Sequence, residues 1–200
     1  MTHSTKQKIL KIIGKHGYGW SFCARDFMPE LKRNDIDTAL FHLTREGKIR
    51  KVTRGIYDYP MFSKMLNRQV APDLEQVAAA IARNLQYEMQ PTGNSALNRL
   101  NLSTQLPAQY TYLWSGRSRD FKVGTQIIRF RSAAKRDFLP KLLQSRLLVQ
   151  SLRMLDSTRM DDSLKAALKK CFNQKQWLQI RADTVGVSDR IYRQICELAK

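Results

Sequence analysis

Apolar residues near the start of the chain follow helical spacing and then change to a short extended pattern. In residues 5–13 they lie on one helical side with lysines opposite, which predicts a first helix with the core positions Ile9, Leu10, Ile12 and Ile13. Glycines at 14, 17 and 19 end this helix, and Trp20 with Phe22 predicts a short extended segment. Ser21 is the predicted N-cap of a short second helix over 24–28, which Pro29 ends.

A third helix is predicted over residues 33–46, and its two sides differ in character. At 100° per residue the apolar positions cluster on one side, which we expect to face the core: Ile36, Ala39, Leu40 and Leu43. The opposite side carries Asn34, Thr38, Phe41 and Arg45, with His42 at its margin. Gly47 supplies the helix stop.

Two short strands are predicted directly after this helix, at 48–52 and 55–59, joined by a turn at 53–55 and ended by Pro60. Three helices followed by such a hairpin predict a winged helix-turn-helix domain over residues 1–62. We expect Ile49 with Ile56 or Tyr57 to dock the hairpin on the core, and Lys51 and Arg54 to project from it.

The remaining sequence predicts a second domain over residues 72–200, so that the fold class is α+β. After a connector at 61–71, Pro72 and Asp73 begin a helix, and residues 91–102 form a turn and a short helix. Strand patterns at 109–114, 119–123 and 125–131 predict a small antiparallel sheet. Residues 138–199 predict a helical bundle that includes one long leucine face over 142–155.

The net charge of +18 narrows the classes of partner. The excess is spread along the chain, at +7 for residues 1–66, +4 for 67–134 and +7 for 135–200. A folded domain this basic attracts polyanions at long range, which favours nucleic acid; the alternative is a basic surface with no specific partner. Three separated cysteines, no secretory signal and no apolar run of membrane length predict a cytoplasmic protein with reduced thiols.

A search for reactive groups finds no catalytic constellation. The three histidines lack metal-ligand spacing, and Gly17 with Gly19 lacks the remainder of a phosphate loop. The "TGNSALNRL" string lacks the spaced carboxylates that would hold magnesium, and Thr92 or Asn94 is better explained as a helix cap. Asp161 and Asp162 suit a helix start. We therefore predict neither an enzyme nor a metal or cofactor site.

The outer side of the third helix, together with the hairpin, forms the predicted DNA-binding site. Short polar side chains such as Asn34 and Thr38 approach base edges or phosphates without filling a groove. Phe41 either contacts a thymine methyl group or packs on another segment. The residues singled out by this pattern are Asn34, Thr38, Phe41, His42, Arg45, Lys51 and Arg54.

Several motifs in a fixed order carry a family resemblance: "GYGWSFCARDF", "ALFHLTREGKIRKVTRGIYDYP", "MQPTGNSALNRLNLSTQLPAQYTYLWSG" and "VGTQIIRFR". Over residues 8–155 the chain resembles the AbiEi-type antitoxins of type IV toxin–antitoxin systems. Leu-Asn-Leu stands at 100–102 where that pattern has Leu-Gly-Leu, a departure that affects a local turn.

The resemblance implies a winged helix that binds operator double-stranded DNA and represses its own operon. It also implies a C-terminal antitoxin domain that counters a nucleotidyltransferase toxin without a stable complex. When the recognition helix and wing of that family are matched to this chain, Arg33 joins the predicted DNA-binding residues, and no catalytic residue is implied.

Alternative functions stay open at this point. The winged helix and the leucine face could hold a protein partner or a second copy, which would make the chain a protein-interaction module. A stand-alone DNA-binding regulator without a toxin partner also fits, as does self-association on DNA, whereas an enzyme acting on nucleic acid has no motif to support it.

Overall fold

The structure, a computed structural model, describes residues 2–103, 110–155 and 160–200, and it has the predicted mixed α+β character. By its contacts the chain divides into two compact units. Unit 1 contains residues 1–87 with 120–128, and unit 2 contains residues 88–119 with 129–200. No helix in the described ranges is long and apolar enough to cross a membrane.

The N-terminal segment of unit 1 begins with helix α1 and ends with helix α3, and its other elements lie between them in the chain. The elements are α1 (Thr2–His16), β1 (Ser21–Cys23), a 3₁₀ turn (Ala24–Phe27), α2 (Arg33–Arg45), β2 (Arg50–Thr53), β3 (Ile56–Asp58), β4 (Phe62–Ser63), β5 (Arg68–Gln69) and α3 (Leu74–Leu85). β1, β3 and β2 form an antiparallel sheet in that order, with Phe22 opposite Tyr57 and Tyr57 opposite Lys51.

Helices cover both faces of this sheet. On one face, Phe22 and Tyr57 pack against the core that α1 and α2 share, which contains Ile9, Ile13, Phe22, Ala24, Phe27, Ile36, Ala39, Leu40, Leu43 and Ile49. The other face takes Cys23 and Ile56, because successive residues of a strand point to opposite sides. Helix α3 contacts β1 and β3. Of the residues predicted to dock the hairpin, Ile49 and Tyr57 pack against α1 and α2, whereas Ile56 lies on the opposite face of the sheet.

Helix α3 is fixed to the rest of unit 1 by polar contacts at its C-terminal end. Arg83 Nε donates to Asp26 Oδ1 at 2.8 Å, and Arg83 Nη2 donates to the Ser21 carbonyl at 2.9 Å. Arg25 Nε donates to the Asn84 carbonyl at 2.9 Å. The sequence grouped this helix with the second domain; the structure corrects that boundary because α3 buries its apolar side within unit 1.

Unit 2 combines the second sheet with the C-terminal helices. Its elements are β6 (Met89–Pro91), α4 (Gly93–Arg99), β7 (Tyr110–Trp114), β8 (Arg119–Val123), β9 (Gln126–Ser132), a 3₁₀ turn (Lys135–Phe138), α5 (Leu143–Met154), α6 (Asp162–Lys170), α7 (Gln174–Asp183) and α8 (Asp189–Leu198). The strand order is β6-β7-β9-β8, and residues 120–128, which include most of β8, the turn and the start of β9, cluster with unit 1. The predicted strand start at Gln109 lies outside the described residues.

Five local predictions were wrong. Gly14 does not end the first helix, because α1 continues past it. Ser21 is a buried strand residue, and the N-cap position of the 3₁₀ turn is Cys23. The 61–71 connector contains the β4–β5 hairpin, β6 was not predicted, and Trp177 lies inside α7 rather than between helices. Each error concerns a segment of a few residues, in which backbone pairing or packing against distant residues decides the conformation.

The predicted leucine face is largely covered inside unit 2. Leu147, Leu148 and Leu152 of α5 are buried, and Leu148 and Leu152 pack in a core with α6, α7 and α8. Leu143 remains 58% exposed. The feature that favoured a protein-interaction module is thus mostly an internal packing surface.

Candidate nucleic-acid interface

The outer side of α2 is open to solvent along its length. Arg33, Asn34, Thr38, Phe41, His42 and Arg45 are all exposed, whereas the four predicted core positions of the same helix are fully buried. This division follows from the 3.6-residue period of the apolar positions, which turns one side of the helix toward α1. The structure therefore keeps the predicted set of helix side chains together on one accessible surface.

Two of these side chains are held in place by neighbours on the same helix. Arg33 Nε donates to Asp37 Oδ2 at 2.8 Å, and both side chains are about half exposed. Thr38 Oγ1 donates to the Asn34 carbonyl at 3.0 Å. The Thr38 hydroxyl thus uses its donor within the helix and keeps its acceptor capacity, while Arg33 retains further N–H donors for an anion.

Phe41 and Arg45 lie one turn apart and form a joint surface. The Arg45 guanidinium lies 5.7 Å from the centroid of the Phe41 ring, and the His42 ring meets Phe41 edge to face. Phe41 stays 57% exposed. Because the ring supports a cation and remains accessible, the pair offers a flat apolar surface next to a positive charge.

The β2–β3 hairpin carries the predicted basic residues. Thr53 pairs with Ile56, and the turn between them contains Arg54 and Gly55, with Gly55 at φ +75°. Lys51 and Arg54 are exposed. The left-handed conformation at the turn suits glycine and strains any residue with a Cβ. The sequence thus placed both basic side chains correctly on an accessible hairpin.

Tyr57 connects the hairpin electrostatically to the start of α2. Burial, with a contribution from the Asp37 carboxylate, raises the pKa of Tyr57, and the charge of Arg33 acts in the opposite direction. Tyr57 also lies opposite Lys51 in the sheet. Tyr57 thus lies near charged groups of the first turns of α2 and opposite Lys51 of the hairpin, a position that the sequence analysis missed because Tyr57 was considered only as a docking residue.

A buried ion pair fixes the start of β2 to the end of β3. Asp58 is 1% exposed and pairs with Arg50 through both carboxylate oxygens, with Arg50 Nε at 3.0 Å from Oδ1. Arg50 Nη1 also donates to the Val70 carbonyl at 3.0 Å. The signal for this pair was the alternation of "RKV" and "IYD", which puts Arg50 and Asp58 on one side of the sheet.

Cysteine and carboxylate side chains are among the groups that would form a metal site. Burial raises the pKa of the Cys23 thiol, as it does for Cys171. Within the described ranges, no three side chains of His, Cys, Asp or Glu are grouped to hold a metal ion. Asp161 accepts from the Leu164 amide at 2.8 Å and caps α6, in agreement with the predicted helix start.

The fold and this surface define an α+β protein whose first unit exposes a polar helix next to a basic hairpin. The chain belongs to DUF6088, a family of unknown function, whose model matches residues 8–180. No curated protein matches the chain.

Proposed function

We propose that residues 1–62 form a winged helix-turn-helix that binds double-stranded DNA. In this proposal α2 is the recognition helix, and the β2–β3 hairpin is the wing. The observation that carries the proposal is the exposed, polar outer side of α2 in the same unit as the basic hairpin. Helix α1, the 3₁₀ turn and α2 precede the hairpin in the order that this domain type requires.

The dimensions and chemistry of α2 support placement in a major groove. An α-helix with its side chains is about 10–12 Å across, which matches the major-groove width of about 12 Å, and the 13 residues of α2 extend about 20 Å along the helix axis. Asn34 has an amide that can bond bidentately to adenine, and Thr38 has a methyl group for thymine contact. Arg33 and Arg45 supply charge at the two ends of the helix for the flanking phosphates.

In this proposal the wing supplies sequence-independent affinity. Lys51 and Arg54 are exposed on a hairpin that Gly55 turns tightly, so they can reach phosphate oxygens. The net charge of +18 extends this attraction over the whole chain. Specific recognition is therefore assigned to α2, and the backbone contacts to the wing.

We further propose that the protein represses its own operon and acts as the antitoxin of a nucleotidyltransferase toxin in the cytoplasm. This part rests on the resemblance to AbiEi-type antitoxins, and unit 2 would be the antitoxin domain. A DNA-binding regulator without a toxin partner is the alternative. Co-expression with the product of the adjacent reading frame separates the two: rescue of growth supports the antitoxin, and a neighbour unrelated to nucleotidyltransferases favours the stand-alone regulator.

DNA binding is tested by titrating the full chain onto the region upstream of its own gene at several salt concentrations. Arg54→Ala and Lys51→Ala should each weaken binding to all sequences and reduce the salt slope by about one. Asn34→Ala should instead reduce discrimination between sites, by about 1–3 kcal/mol. The control is Lys175→Ala, which removes an exposed charge from α7. If Arg54→Ala, Lys51→Ala and Asn34→Ala all bind as the wild type does, the assignment of α2 and the wing is overturned.

A further inference from the structure

A second hairpin follows the proposed wing and is closed by its own hydrogen bonds. In β4 and β5, Phe62 pairs with Gln69 and Ser63 with Arg68. The Val70 amide donates to the Met61 carbonyl at 2.8 Å, and the Leu66 amide donates to Ser63 Oγ at 3.2 Å. Asn67 supplies the left-handed turn residue, at φ +45°. Residues 61–70, called here the apolar hairpin, are therefore a defined element and not a linker.

The apolar hairpin exposes an unusual amount of apolar surface for its size. Met65 is 91% exposed, and Met61, Phe62 and Leu66 are each about half exposed. Its charged residues are Lys64 and Arg68, and no acidic residue occurs from Tyr59 to Pro72. Single exposed apolar residues are ordinary, but four within six positions on a basic hairpin indicate a contact surface.

The base of the apolar hairpin is anchored to the sheet of the proposed wing. Arg50 bridges the buried Asp58 carboxylate and the Val70 carbonyl, and thereby links β2, β3 and the end of the hairpin. The strand that carries this arginine also carries Lys51. Arg50 thus ties the base of the apolar hairpin to the strand that carries Lys51, and we expect DNA bound by the wing to lie near the apolar hairpin.

We propose that the apolar hairpin is a second DNA-contacting element, whose Met65–Leu66 tip enters the minor groove beside the site read by α2. This inference rests on the proposed DNA binding of unit 1. Minor-groove proteins use Met, Leu and Phe side chains as wedges between base steps, with basic residues on the backbone. Lys64 and Arg68 are placed on the same hairpin to meet the flanking phosphates.

Charge favours DNA over a second copy of the chain as the partner of the apolar hairpin. A second copy of the chain would bring an identical basic hairpin and a net charge of +18, with no carboxylate on the hairpin to pair with Lys64 or Arg68. Duplex DNA offers both complements, namely a phosphate backbone for the charges and stacked base edges for the apolar tip. An anionic membrane surface is the competing source of negative charge, and the experiment includes it.

The test compares the wild type with Met65→Ser/Leu66→Ser and with Lys64→Ala, on a duplex from the region upstream of the gene. We expect the double variant to lose about tenfold in affinity with its salt slope unchanged, because it removes wedge contacts and no charge. Lys64→Ala should reduce the salt slope by about one. Netropsin, a minor-groove ligand, should compete with the wild type and have less effect on the double variant. Leu178→Ser, at another exposed apolar position, is the matched control and should bind normally.

Several outcomes overturn the inference. If the wild type binds DNA and the double variant binds equally well, the apolar hairpin has no contact with DNA; if the wild type itself does not bind, the proposed function of unit 1 fails first. Binding of the wild type to phosphatidylserine vesicles that the double variant loses, without a change in DNA affinity, would assign the hairpin to membranes. Loss of a wild-type dimer in sedimentation of the double variant, again with DNA affinity unchanged, would assign it to self-association.

Discussion

Arg50 joins three segments of unit 1, because it pairs with Asp58 and also donates to the Val70 carbonyl. The ion pair between Asp58 and Arg50 is therefore the most informative position for a stability measurement. Asp58→Asn keeps the shape of the side chain and removes its charge. It leaves a guanidinium that is 27% exposed and retains its bond to the Val70 carbonyl. Removal of one partner from a buried pair costs about 3–5 kcal/mol, and the partial exposure of Arg50 lowers our expectation to about 2–3 kcal/mol.

The loss should appear as a decrease in Tm of about 5–10 °C for a chain of this length. Thermal unfolding by circular dichroism gives the total effect, and hydrogen exchange of peptides from 50–60 and 174–198 locates it. Protection should decrease in the first peptide and stay unchanged in the second, because Asp58 belongs to unit 1 and α7 to unit 2.

The matched control is Asp37→Asn, which breaks an ion pair of similar length in which both side chains are about half exposed. An exposed pair of this kind contributes at most about 0.5 kcal/mol. Equal losses for Asp58→Asn and Asp37→Asn would refute the reasoning, since burial would then make no difference. So would a coupling energy near zero in the double-mutant cycle of Asp58→Asn with Arg50→Met.

Three further predictions concern backbone conformation, close packing and acid stability. Gly55→Ala should destabilise the protein by about 1 kcal/mol, because φ is +75° at this position. Gly14→Ala should instead stabilise it by about 0.5–1 kcal/mol, because Gly14 lies inside α1 with open space around it. Urea unfolding compares the two variants, and changes in the free energy of unfolding of the same sign would contradict the argument. Gly93→Ala should cost about 1–3 kcal/mol in the same assay, because the new Cβ would lie 2.5 Å from Met154 Cβ; an unchanged midpoint would show that α4 can shift from α5. Burial raises the pKa of Asp183, but the amides of Lys141 and Leu142, each donating at 3.0 Å, together with Ser145 and the charge of Arg146, lower it, and the net pKa lies below its ordinary value. The stabilisation by Asp183 is then present above the ordinary aspartate pKa and is lost as the pH falls through the depressed value. The free energy of unfolding should therefore fall less steeply at acid pH in Asp183→Asn than in the wild type. Identical pH–stability profiles would exclude this role.

Long apolar patterns were the most reliable guide to the fold. The period of Ile36, Ala39, Leu40 and Leu43 identified α2 and its buried side, and the structure confirms both. Asp73 and Asp161 were predicted to begin helices, and each accepts backbone amides at a helix N-terminus. These signals are local, because the helix period and the cap need only residues within one or two turns.

Short elements and long-range partners escaped prediction. The β4–β5 hairpin has two residues in each strand, and β6 has three, which is too short for a period to be counted. The bonds of Arg83 to Asp26 and of Arg50 to Val70 join residues 57 and 20 positions apart, and nothing in either neighbourhood indicates the partner.

The candidate site, like the fold, could be predicted from the sequence only in part. The exposed positions on α2 and the basic hairpin followed from the sequence, because burial of one helix side leaves the other in solvent and a glycine turn leaves its neighbours at the tip. Tertiary structure alone placed Tyr57 near Asp37, assigned α3 to unit 1 and anchored the apolar hairpin through Arg50. The physical reason is that periodicity determines which side of an element is buried, whereas the segment that buries it is chosen by contacts between residues far apart in the chain.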